Sequence, residues 1–367
     1  MKIQSRHTLI YLCILGVLSL HSCKKSISTE EPGNPRTVLV YMGGDNNLSD
    51  ETGDKIASLR KASVSKGRLL IFQDALNQSP RLLEIKSGEV LTLKTYGPES
   101  SASPEVFKLV LQDLQKLAPA DSYGLILFSH ASGWLPQRTL IKPYAVAQDG
   151  KDDLELLEFA AVIPDDFFDF MIFEACFMTG IEVVYELHNK TDFIVASPAE
   201  ILSPGFTPIY PELIPLLFSP EADLKKFAET FFSYYNALSG DYQSATIAVI
   251  RTSPLQALAT WVKENKDRTV PAEDYKDIQK FDRYSDYTLF FDFEDYFQRA
   301  SKPEASTQLH KLINDVVVYK AATSSFMKNS SGFDIIRYSG LSTYIPQTGF
   351  PYLNQEYGKL KWSRAAL

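Results

Sequence analysis

Cys176 and His130 are the residues of this chain best suited to covalent chemistry. His130 closes the run Tyr123-Gly-Leu-Ile-Leu-Phe-Ser-His130, and Cys176 closes Phe167-Phe-Asp-Phe-Met-Ile-Phe-Glu-Ala-Cys176. A thiol beside an imidazole can act as a nucleophile, with the imidazole moving its proton. Both residues follow short apolar runs that read as buried strands. The chemistry therefore depends on those two strands lying side by side.

Cysteine counting narrows the choice. The chain has 3 cysteines in 367 residues. Lys2, Arg6 and His7 precede an apolar run, Leu9 to Leu20, which is too short to span a bilayer but fits a signal-peptide core. Cys13 lies inside that run. The run ends Leu20-His-Ser-Cys23, which resembles a bacterial lipobox. Residues 1–22 are thus expected to be a lipoprotein signal peptide, Cys23 the lipidated first residue, and residues 23–35 a tether. Lys24 rather than Asp after Cys23 fits a lipid anchor in the cell envelope, at the outer membrane of a Gram-negative source. Cys176 would remain as the mature thiol, which leaves no internal disulfide. A lone thiol in an exported protein asks for a reason, although a small buried hydrophobe is the plain alternative.

Composition excludes little else. Hydrophobic residues make up 45% and charged residues 22%, an ordinary globular balance. A net charge of −8 gives no basic footprint for nucleic acid. Of the histidines beyond the leader, His188 and His310 lie in helical patterns, so a zinc site of Cys and His spacing is not supported. Asp45, Asn47 and Ser49 alternate like the start of a calcium loop but lack its Gly and distal Glu, so helix capping is the expectation. Asp149, Asp152 and Asp153 read as a solvated loop.

Apolar runs at 37–42, 68–73, 122–129, 167–173 and 192–197 alternate with helical patterns at 48–66, 103–117, 154–162 and 177–188. Residues 81–86 and 90–96 read as a hairpin. Strands apolar on both faces predict an α/β fold, a mostly parallel sheet with helices on both sides. Ligands bind such sheets beyond the carboxyl ends of the strands. Further helices are expected at about 208–218, 221–238, 254–266 and 308–321, with strands at 245–250 and 341–345. Residues 36–240 read as the core and 241–367 as a C-terminal part packed on it. The loop 131–152 is long enough to suggest function.

The segments Val40-Tyr-Met-Gly-Gly-Asp-Asn-Asn-Leu48, Leu127-Phe-Ser-His-Ala-Ser-Gly-Trp134, Phe173-Glu-Ala-Cys-Phe-Met178, Ala196-Ser-Pro-Ala-Glu200 with Pro204-Gly-Phe206, and Gly340-Leu-Ser-Thr-Tyr-Ile-Pro346 together resemble the clostripain-like cysteine peptidases. This family (C11) is related to caspases and gingipains. The resemblance implies a caspase-like three-layer sandwich and hydrolysis of peptides or proteins by a Cys/His dyad. Cys176 would be the nucleophile and His130 the proton carrier, with the N–H groups of Ala131 and Cys176 as the oxyanion hole. Glu174, Glu200 and Ser197 would border the pocket for an Arg or Lys at P1. Arg138, Lys142 and Lys151 would offer sites of self-cleavage between His and Cys. Calcium stays open as a cofactor, no site for it can be located, and a monomer is expected. Two departures stand out: Ala131 replaces the usual Gly, which would be strained if that turn needed φ > 0, and Glu174 replaces the usual Asp. The alternatives are an inactive surface protein that keeps the fold, or a thiol acyltransferase.

Overall fold

Alternation along the strands decides the layers. In the computed structural model, which describes residues 36–137, 146–150 and 152–367, the first strand is β1 (Thr37–Gly44). Its Val38, Val40 and Met42 join one core cluster, and its Leu39 and Tyr41 join another. A strand apolar at every position must be covered on both faces. The other strands of the main sheet are β2 (Arg68–Ala75), β3 (Arg81–Lys86), β4 (Glu89–Thr95), β5 (Tyr123–Phe128), β6 (Phe168–Glu174), β7 (Thr191–Ala196), β8 (Thr246–Arg251) and β9 (Val317–Ala322).

These form a nine-stranded sheet in the order β9-β8-β7-β6-β5-β1-β2-β3-β4. The central strands β2, β1, β5, β6 and β7 pair parallel. The flanks pair antiparallel: β2 with β3, β3 with β4, β7 with β8 and β8 with β9. One face is covered by α1 (Ser49–Leu59), the helical run 207–218 and a helix over Leu224–Asn236. The other is covered by α2 (Pro104–Leu117), α3 (Leu156–Val162), α4 (Ile181–Glu186) and the helix Leu255–Asn265. This is the expected three-layer α/β arrangement. Ser103 caps α2, its side chain accepting from the Val106 N–H at 3.3 Å, with Pro104 in the first turn.

Several elements depart from the sequence reading. The helix expected at 48–66 stops at Leu59, since Ser63-Val-Ser65 favours helix poorly and Gly67 takes φ +107°. The helix expected from 177 starts at Ile181, because the Phe177 and Thr179 N–H groups bond to Ala199 O and Ser197 O instead. Residues 317–321, expected to be helical, belong to edge strand β9, where Val-Val-Tyr pairs with β8.

Residues 241–367 share the core of the rest. β8 and β9 extend the same sheet, and Trp362 is fully buried with its ring against Tyr185, Phe293 and Phe297. Glu182 on α4 reaches across and accepts from the Tyr344 N–H at 2.7 Å. No helix among the described residues is long and apolar enough to cross a membrane. Residues 1–35, with Cys23, lie outside the described residues, as do Arg138, Lys142 and Lys151. Trp362→Ala should lower the unfolding free energy by about 3–5 kcal/mol, read as a drop in the urea midpoint; an unchanged midpoint would contradict a shared core.

Candidate active site

The register of β5 and β6 brings the two reactive residues together. The strands pair parallel with Phe128 opposite Glu174, so His130 and Cys176 each lie two residues further on at the same sheet edge. Immediately after Cys176 the chain turns sharply, with Phe177 at φ +62°. A non-glycine residue held there costs about 1–3 kcal/mol. Phe177 is kept there by its stacking on Phe290, ring centroids 4.3 Å apart, and by its N–H bond to Ala199 O. Gly133 (φ +67°) packs on the same turn, where a Cβ would come within 2.8 Å of Phe177 O. The left-handed strain thus falls on Phe177 and Gly133, whereas Ala131 is buried without it. The Gly-to-Ala difference at 131 carries no backbone penalty here.

Burial pushes the Cys176 thiol up to about 12; the Ile201 N–H on its sulfur pulls down, Glu200 pushes up and Arg283 pulls down. Burial also pulls the half-buried His130 imidazole below its ordinary value, against the charge of Glu51. His130 Nε2 lies 2.8 Å from Asn47 Oδ1. A carbonyl oxygen only accepts, so Nε2 donates and Nδ1 is the basic nitrogen of the neutral ring. Asn47 thereby holds one side of the imidazole.

One thiol and one imidazole thus share the carboxyl edge of the sheet. The clostripain-family model matches residues 40–365. This chain belongs to the clostripain family. It is accordingly a cysteine peptidase. A similar structure is the inactive zymogen of a C11 protease from Parabacteroides distasonis, 31% identical, covering 91% of this chain and 98% of that one, with a TM-score of 0.80. Another is a secreted C11 cysteine protease from Bacteroides thetaiotaomicron in complex with an irreversible peptide inhibitor, 26% identical, covering 90% and 98%, with a TM-score of 0.77. No curated protein sequence matches this chain significantly.

Within this clostripain-family site, the expected pocket residues fare differently. Glu174 is not open to a substrate: it is 3% exposed and bonds to Lys55 Nζ at 2.6 Å, Tyr210 Oη at 2.5 Å and the Phe206 N–H at 2.5 Å. Its charge is satisfied from within, which corrects its assignment as a substrate-binding group. Ser197 is also corrected. It is fully buried, pairs with Thr246 Oγ1 at 2.6 Å and accepts from the Ala199 N–H, so it shapes the loop 197–206. Glu200 does lie beside the thiol and half-exposed, but it holds Arg283 in a two-point ion pair at 2.6 and 3.0 Å.

Arg283 and Lys55 carry no site reading in the sequence, and Asn47 reads there only as part of a helix-capping run, whereas it bonds to His130. Arg283 sits in an aperiodic stretch that gives no local signal. Lys55 had one: α1 buries Thr52, Lys55, Ser58 and Leu59, a mostly polar stripe at helical spacing. His188 and His310 are engaged elsewhere, with Tyr185 O and Glu294. Among the described residues no group of three or more His, Cys, Asp or Glu is arranged to hold a metal ion. Near the sheet edge, burial and Asp149 push the Asp74 carboxyl up to about 7.

Two measurements check this geometry. With the thiol raised, its neutral form persists through neutral pH, and thiolate grows as pH rises. Alkylation of the unprocessed protein by iodoacetamide should therefore climb about tenfold per pH unit from pH 7 to 10; a plateau near pH 8.5, the ordinary thiol value, would contradict it. Asn47→Ala should lower kcat/KM by about tenfold or more with little change in melting temperature, and unaltered kcat would remove Asn47 from the site.

Proposed function

We propose that this peptidase is a lipid-anchored cysteine endopeptidase in which Cys176 attacks the scissile carbonyl and His130 moves the protons. The observation that carries this is the paired register of β5 and β6, which leaves one thiol and one imidazole at the same strand ends. Cys176 Sγ would bond to the carbonyl carbon as His130 Nδ1 takes the thiol proton. His130 would then pass that proton to the departing amine as the C–N bond breaks. Water, deprotonated by the same imidazole, would hydrolyse the thioester and return the thiol. The N–H groups of Cys176 and Ala131 are the proposed donors to the oxyanion.

The thiol, part-buried and held above its ordinary value, supports a latent resting state. An inactive zymogen among the similar structures supports the same reading. We infer activation by cleavage in the loop 131–152, at Arg138, Lys142 or Lys151, releasing the segment that joins the two strands. Cys23 is the proposed lipid site, and peptides or proteins outside the cytoplasm are the proposed substrates. The expected preference for Arg or Lys at P1 loses its support from Glu174. It could rest only on Glu200, once substrate displaces Arg283.

Incubated alone, the wild-type protein should yield two fragments cut within 131–152, whereas Cys176→Ala should stay full length. Cys176→Ala should also lower kcat/KM on peptide substrates by about 10³-fold or more. Equal fragmentation of the two proteins would remove self-processing, and turnover by Cys176→Ala would remove the nucleophile. Palmitate incorporated on expression should vanish in Cys23→Ser; labelling that persists would remove the anchor.

A further inference from the structure

We propose that Glu182 is a positioning residue for the nucleophile: its free carboxyl oxygen, Ser342 Oγ and the Phe177 carbonyl together bind one buried water that ties the turn after Cys176 to the C-terminal segment 342–344. The proposal rests on the reading of Cys176 as nucleophile. Glu182 lies in the first turn of α4, just beyond that turn, and is fully buried. One of its oxygens is engaged: Oε1 accepts from the Tyr344 N–H at 2.7 Å and from Thr343 Oγ1 at 3.1 Å. The other, Oε2, is buried without a hydrogen-bond partner among the described residues. Ser342 Oγ is fully buried and unpartnered in the same way. A buried polar group left unsatisfied costs about 1–3 kcal/mol, so two of them side by side ask for a shared partner.

Both atoms face one small space. A Cβ built on Gly180 would stand 3.0 Å from Glu182 Oε2, 3.7 Å from Phe177 O and 3.8 Å from Ser342 Oγ. Three oxygens thus surround a volume about the size of a methyl group, and one water there reaches all of them. Gly180 has φ −56° and ψ 132°, a conformation open to any residue. The backbone conformation therefore does not call for glycine at 180, whereas a water in that space does. The walls are fixed by the main chain: the Ser342 N–H donates to Thr179 O at 3.1 Å, and Gly180 and Ser342 form a parallel bridge. Phe177 O belongs to the left-handed residue that follows the thiol. A group that holds this carbonyl holds the turn that aims Cys176. The titratable groups facing Glu182 are Tyr344 and Tyr357, both held above the ordinary tyrosine value and so neutral. Lys361 pairs with Glu186 a turn further along α4. Burial pushes the Glu182 carboxyl up to about 7, against the bonds from the Tyr344 N–H, its own N–H and Thr343. When the proton is present it sits on Oε2, because Oε1 already accepts twice. A neutral acid, a carbonyl and a hydroxyl suit a water rather than a metal ion.

The test uses the full chain, uncut for crystallography and activated for kinetics. A high-resolution crystal structure of Cys176→Ala should show one water within about 2.6–3.2 Å of Glu182 Oε2, Phe177 O and Ser342 Oγ. No peak there, or contacts too short for hydrogen bonds and fit for a metal ion, overturns the proposal. Gly180→Ala puts a methyl where the water stands and should lower kcat by about tenfold or more with KM within about twofold. Glu182→Leu should do the same. Glu182→Gln keeps an acceptor for Tyr344 and a donor for the water, so its kcat should stay within about threefold of wild type. Unchanged kcat in Gly180→Ala overturns the proposal, since it would leave Glu182 only its contacts with Thr343 and Tyr344. If Gly180→Ala fails to fold, the crystal structure decides alone. If no protein turns over any peptide, the peptidase reading fails while the crystal structure still tests the bridge.

Discussion

The parallel pairing of β5 with β6 is the constraint on which the rest depends. Phe128 opposite Glu174 sets the register, and everything at the sheet edge follows from it. A slip by one residue would turn Ile126 and Ile172 out of one core and Leu127 and Phe173 out of the other. Burial on both faces makes that slip prohibitive. The reactive pair is therefore placed by core packing alone, before any interaction between thiol and imidazole is considered.

Around that fixed pair the chain adds contacts from distant segments. α1 supplies Lys55 to the carboxylate, and the residues just before it supply Asn47 to the imidazole. The loop after β7 crosses the thiol through Ile201 and reaches Glu174 through Phe206. The C-terminal part supplies Arg283 to Glu200 and Phe290 to Phe177. None of these partners is a neighbour in sequence. They surround a part-buried thiol on which the nearest charges, Glu200 and Arg283, oppose one another.

The sequence made the sheet legible because fully buried strands read as short apolar runs, and Cys176 and His130 sit at the ends of two of them. Where burial is partial the pattern fails. β9 is an edge strand, half-buried along most of its length, and its residues looked like the end of the preceding helix. Glu174 shows a different limit. A carboxylate near a nucleophile reads as a substrate contact, yet its partner Lys55 stands 119 positions away and is brought in only by the packing of α1 on the sheet. Ser197 fails for the same reason, being satisfied by Thr246 on the next strand. Local chemistry was readable; which groups were already satisfied was not.

The central claim is that Cys176 and His130 form one catalytic unit held latent in the uncut chain. The most direct measurement is intact-mass analysis after incubation with a peptidyl acyloxymethyl ketone, before and after cleavage of the 131–152 loop. The account predicts a single adduct on Cys176 in the cleaved protein, little in the uncut protein, and almost none in cleaved His130→Ala. Equal labelling of cleaved wild type and His130→Ala, or none in any form, would contradict it.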